Sequence, residues 1–188
     1  MSLSDRIFGI LTNANTLRIN FSFRGINGNN IFVLGADFLM VAQSMVANKI
    51  AIVEGTADPG EAIYTARDDA NMNANTMYIG QNNYSSQSFE ALVVHETVHA
   101  IYDLKRTVIP WIDNETAAYI AQGFYANNAG IPDNHVSAQE FIYLGKMISN
   151  NIIARQPIDN FWLDEMRDKL RNDPVYVPYI YQTFVGDG

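Results

Sequence analysis

Gln87-Ser88-Phe89-Glu90-Ala91-Leu92-Val93-Val94-His95-Glu96-Thr97-Val98-His99-Ala100-Ile101-Tyr102-Asp103-Leu104 reads as one helix. Ser85 or Ser86 stands ready to cap it. Ala91, Val94, Val98 and Ile101 mark one apolar face, and Ser88, Leu92, His95, His99 and Tyr102 mark another, so a core side and a site side are expected. Within it His95-Glu96-Thr97-Val98-His99 has the form H-E-x-x-H. Residues four apart lie one turn apart on the same helical face, so the two imidazoles can share one metal ion. The glutamate after the first histidine can then act as a base on water held by that ion.

Downstream, Ile109-Pro110-Trp111-Ile112-Asp113-Asn114-Glu115-Thr116-Ala117-Ala118-Tyr119 starts a second helix that runs to about Asn127. A zinc site on two histidines needs a third protein ligand and an open position for water. The chain has no cysteine and one further histidine, His135, so the choices are His135 and the acids Asp113 and Glu115. Geometry favours Glu115. The first helix travels roughly 8–10 Å past His99, and a turn near residues 106–109 brings a returning helix back by a similar distance. Asp113 falls half a turn short and is better placed as a helix cap.

The two stretches together, 95–119, are similar to the gluzincin metallopeptidases, and most to the peptidase-MA-like branch. That resemblance implies a zincin-like core: a small mixed β-sheet on a backing helix and an active-site helix, then a helical C-terminal part. It implies Zn2+ held by His95, His99 and Glu115, with Glu96 as catalytic base, and a peptide or protein substrate. The pattern departs from the family in two places: Thr116 stands where Gly is common, and Tyr119 stands where an Asp steadies a zinc histidine in thermolysin-like members. Asp103, one turn after His99, is a candidate for that steadying role. Gluzincins commonly stabilise the oxyanion with Tyr or His; Tyr102, Tyr119, His135, Tyr143, Tyr176, Tyr179 and Tyr181 are the candidates, with preference for His135 and the tail tyrosines such as Tyr179.

The remaining chain is consistent with an α+β fold, strands early and helices late. Residues 4–11 suggest a short helix capped by Ser4 or a loose lead-in. Leu17–Arg24 alternates as a strand, Ile31–Leu34 is a second, and 37–48 has helical spacing. Ile50–Val53, Glu61–Ala66 and Thr76–Gly80 are further short strands, the last expected to be the edge along which an extended substrate lies. Ser137-Ala138-Gln139-Glu140 matches a capping box for a third helix to about Ala154. A fourth, Asp159–Arg171, would turn Phe161, Trp162, Met166 and Leu170 inward, and the Pro- and Tyr-rich tail reads as extended. One domain over 1–188 is expected, with 1–106 carrying the sheet and active helix and 107–188 the helices and third ligand.

Net charge is −8, which argues against nucleic acid as a partner, because phosphate binding needs clustered Lys and Arg. No apolar run approaches a membrane span. No secretory signal is visible, so the expectation is a cytoplasmic protein, or an exported one whose signal has given way to a Met-Ser-Leu leader. Two alternatives to a peptidase share the metal. One is a catalytically silent domain that binds a peptide or partner protein; the other is a hydrolase of non-peptide amides. Retention of Glu96 favours an enzyme.

Overall fold

A computed structural model describes residues 2–69, 71–81, 83–133 and 140–188. Its elements in order are α1 (Leu3–Thr12), α2 (Ala14–Leu17), β1 (Asn20–Arg24), β2 (Asn30–Leu34), α3 (Gly35–Val46), β3 (Ala51–Glu54), β4 (Ala62–Thr65), β5 (Thr76–Ile79), α4 (Gln87–Leu104), β6 (Val108–Pro110), α5 (Trp111–Asn128), α6 (described from Glu140 to Ile153), α7 (Asn160–Asn172) and β7 (Thr183–Val185). Helices and strands are both present, the strands in small sheets.

The first helix begins two residues earlier than expected for a Ser4 cap. Ser2 accepts from Asp5 N while Asp5 reaches back to Ser2 N, a complete capping box. Leu17 is helical rather than the start of a strand, because Asn13 accepts from both Asn15 N and Thr16 N and nucleates a single turn there. β1 and β2 then pair antiparallel, with Phe21, Phe23, Ile31 and Val33 facing the core in strict alternation.

The three-stranded sheet has order β3-β5-β4, with β3 parallel to β5 and β4 antiparallel to it. β5 is therefore central, paired on both sides. The expectation that Thr76–Gly80 forms the open edge fails for that reason, and the edge next to α4 is β4. Gly80 N donates to Glu61 O. Hydrogen-bonded pairs alternate along an antiparallel ladder, so Ala62 and Tyr64 turn their backbone groups away from β5.

α4 is buried on both sides over its C-terminal two-thirds, from Val93 to Asp103. The division into core side and site side is too simple: α1 and α3 cover one flank, while α5 and β4 cover others. Tyr102, expected on the site side, is buried and its hydroxyl reaches Phe32 O.

α5 and α6 cross at backbone contact through Gly123 and Gly145. A Cβ on Gly145 would stand 2.1 Å from Tyr119 O, and one on Gly123 would stand 2.2 Å from Gly145 C. No other residue type permits this approach. Asp113 does not cap α5; the N-cap is Pro110, without a side-chain bond. The Asp113 carboxylate is fully buried and accepts from Ile26 N at 2.9 Å and Arg167 Nη2 at 3.0 Å, tying the β1–β2 turn and α7 to α5.

In α7, Leu163, Met166 and Leu170 are buried, whereas Phe161 lies exposed in the first turn and Trp162 is only partly covered. The tail is coiled before it extends. Tyr176 N and Val177 N donate to Asp173 O and Ile180 N donates to Tyr176 O, before β7 pairs with β6. The Ser137 capping box lies outside the described residues. No helix among those described is long and apolar enough to cross a membrane.

Candidate metal centre

α4 and α5 lie against each other and bring His95, His99 and Glu115 together, all buried, with ligand-capable atoms within 4.8 Å of one another. Glu115 Oε2 is 3.4 Å from His95 Nε2, and Oε1 is 3.8 Å from His99 Nε2. A tetrahedral zinc with bonds of about 2.1 Å separates its ligand atoms by roughly 3.4 Å, so the residues fit such an ion with small adjustment.

The far side of each imidazole is held. His95 Nδ1 meets Gln122 Oε1 at 3.1 Å and His99 Nδ1 meets Asn114 Oδ1 at 2.9 Å. An amide oxygen only accepts, so each Nδ1 carries a proton and each Nε2 turns a lone pair inward. Those lone pairs face a carboxylate whose Oε2 has no hydrogen-bond partner. Three converging acceptors require positive charge among them, supplied by an added proton or by a metal ion.

The electrostatics of the metal-free chain express that demand. Burial opposes a second proton on His95, but Glu115 and Glu96 outweigh it and push its pKa up. Burial raises Glu115 as well, yet His99 and His95 overcome that and hold it below the ordinary carboxylate range. Glu96 goes the other way. Burial pushes its carboxyl up, against the pull of His95, His99 and the Tyr64 N–H. Two carboxylates on neighbouring helices are thus separated: Glu115 stays an anion and Glu96 retains a proton more readily.

Glu96 Oε2 accepts from Tyr64 N at 2.9 Å, one of the backbone groups that β4 turns outward. The Tyr64 hydroxyl donates to Asp103 Oδ2 at 2.7 Å, and Asp103 Oδ1 accepts from Asp187 N at 2.9 Å. Asp103 is thus not the partner of a histidine; its bond holds β4 against α4. The residues that steady the histidines are amides, Asn114 and Gln122. The one sequence signal for them is position: Asn114 precedes Glu115, and Gln122 lies two turns after it on the same face.

Tyr64, His95, Glu96, His99, Glu115 and Gln122 line a cavity of about 870 Å³ between β4 and the loop after it on one side and α6 and the tail on the other. The Tyr119 ring stands edge-on to His95 at 4.4 Å between centroids, and its hydroxyl touches that of Tyr176. Tyr179 also lines the cavity, packed on Trp111, which in turn abuts His99. The Tyr179 hydroxyl has no hydrogen-bond partner among the described residues, and burial keeps it protonated. Tyr181 is exposed, Tyr143 does not line the cavity, and His135 lies outside the described residues.

No family model matches this chain, and no curated protein or solved structure matches it.

Proposed function

We propose that this chain is a zinc-dependent hydrolase that cleaves peptide bonds, with a zincin-like core and a gluzincin-like ligand set. The observation that carries the reading is the convergence of two imidazole Nε2 lone pairs and an unpartnered carboxylate oxygen, with both Nδ1 protons already committed. His95, His99 and Glu115 would hold the ion. When bound, zinc acidifies water and polarises a carbonyl.

The chain's own groups supply the rest. Glu96 lines the cavity beside the ligands and has its carboxylate oriented by the Tyr64 N–H. It accepts a proton from the attacking water and passes it to the leaving nitrogen. The Tyr179 hydroxyl, protonated and uncommitted, is the donor for the developing oxyanion. The Ala62 backbone on the open edge of β4 offers ladder bonds to an extended substrate. A carboxylate base with this setting favours catalysis over a silent binding domain.

The test is zinc stoichiometry together with cleavage of a peptide library by the wild type and Glu96→Gln. The expected result is one zinc in each protein, with cleavage slowed by about 10²–10⁴-fold in the variant. One zinc with no cleavage by either protein would favour the binding domain. No metal after zinc addition would sink both.

A further inference from the structure

The cavity above the candidate metal centre is charged on one side of the scale. Glu61, Asp69, Glu140 and Asp173 line it, brought from four separate stretches, and among the described residues no Lys or Arg does. Glu140 is answered by Lys169 at 2.6 Å. Glu61, Asp69 and Asp173 have no ion-pair partner among the described residues. The cavity is marked as a ligand site independently of these acids, by the buried Glu115 oxygen that no protein group satisfies. A dication at the centre would be met by Glu115 and Glu96, which leaves the outer acids unanswered. The wall also holds Phe141, Tyr176 and Tyr179, an edge-to-face cluster whose π faces favour cations over anions.

We infer that the cleft selects basic peptide segments, drawing a Lys or Arg side chain to its acidic and aromatic lining. This rests on the hydrolase reading for the location of the substrate and extends it to a substrate class. Glu61, Asp69 and Glu140 are exposed and Asp173 half-buried, and acids of one sign around a cleft with low-dielectric walls draw an entering cation and repel an acidic side chain. The aliphatic stem of Lys or Arg is suited to the apolar part of the same wall.

The experiment uses the zinc-loaded full chain and two fluorogenic peptides identical except for Arg or Glu at the positions flanking the scissile bond. The expected ratio of kcat/KM, Arg over Glu, is on the order of tenfold at low salt, since each exposed charge contributes modestly and several act together. It should fall several-fold in Glu61→Gln/Asp173→Asn and in high salt, as screening requires. The ratio is internal to each preparation, so a loss of folded protein does not alter it. The same two peptides are titrated by anisotropy into zinc-loaded Glu96→Gln. Preferential binding of the Arg peptide supports the inference even where the wild type cuts neither, an outcome that would overturn only the hydrolase. Cleavage without preference, equal binding of the two peptides, or binding of neither would overturn the inference.

Discussion

Gln122 and Asn114 are not candidate ligands, yet they decide which nitrogen of each histidine is free. Removing either leaves an Nδ1–H without its acceptor and frees the ring to turn or to change tautomer. Gln122→Ala and Asn114→Ala should each weaken zinc binding by about 10–100-fold. Competition with a chromophoric chelator reads this directly; unchanged affinity would mean that the rings are fixed by packing alone. Glu96 yields a prediction of the opposite sign. In the metal-free chain its pKa is raised by burial. Below its ordinary value near 4.5 the group is protonated in folded and unfolded chains alike, and no penalty arises. As pH rises above that value, the unfolded chain releases the proton first, so the folded state binds more protons and loses stability. Metal-free Glu96→Gln should therefore melt above the metal-free wild type, with the smallest difference near about pH 4 and a growing one toward neutrality. A difference independent of pH would show that ionisation of Glu96 is not the cause.

Among the elements, the α5–α6 crossing is the least forgiving. α5 holds the site on the face that meets α4, and α6 holds one wall of the cavity through Phe141, which stacks on Tyr119. Gly145→Ala places a methyl against the Tyr119 carbonyl, and the helices must separate. The expected loss is about 1–3 kcal/mol in a urea titration, as for other overpacked contacts. Zinc affinity should stay within about threefold, since neither the three ligand residues nor Asn114 and Gln122 are among the atoms a Cβ at Gly145 would meet. A collapse of zinc affinity would instead show that α6 holds the ligands in place. The Tyr64–Asp103 bond works at this scale too. It joins the edge strand to α4 below the histidines, so the Tyr64 N–H reaches Glu96 from a strand fixed at both ends of that residue.

Across the whole molecule, the parts that were legible beforehand are those with a strong period or a fixed spacing. The α4–α5 hairpin is one, since a two-histidine helix followed by a returning helix constrains both partners. The sequence does not show that Thr76–Ile79 is the central strand, because segments of four residues are too short to carry register or neighbour information. The amide partners had no motif to announce them. Spacing offers Asp103 as a partner for a zinc histidine and Asp113 as a helix cap; their actual bonds to Tyr64, Ile26 and Arg167 depend on tertiary contacts that sequence spacing does not encode. The tail's coil arose from Asp173 accepting nearby N–H groups, where Pro and Tyr content alone suggested extension. Metal binding should also register globally: at free zinc a thousandfold above Kd, stability should rise by about 4 kcal/mol over the metal-free protein, read from denaturation midpoints. No shift would exclude binding to the folded state.

The centre and its cleft also differ in how far apart their parts lie along the chain. The ligands and their amide partners all fall between residues 95 and 122, on two adjacent helices, whereas the cavity walls are drawn from residues 60 through 179. Short-range contacts close at small entropic cost and form early in folding; long-range ones wait. The helical hairpin is thus suited to capture an ion before a cleft exists around it, and a zinc bound there would take part in folding kinetics. Refolding started with zinc present should run faster than refolding with zinc added afterwards.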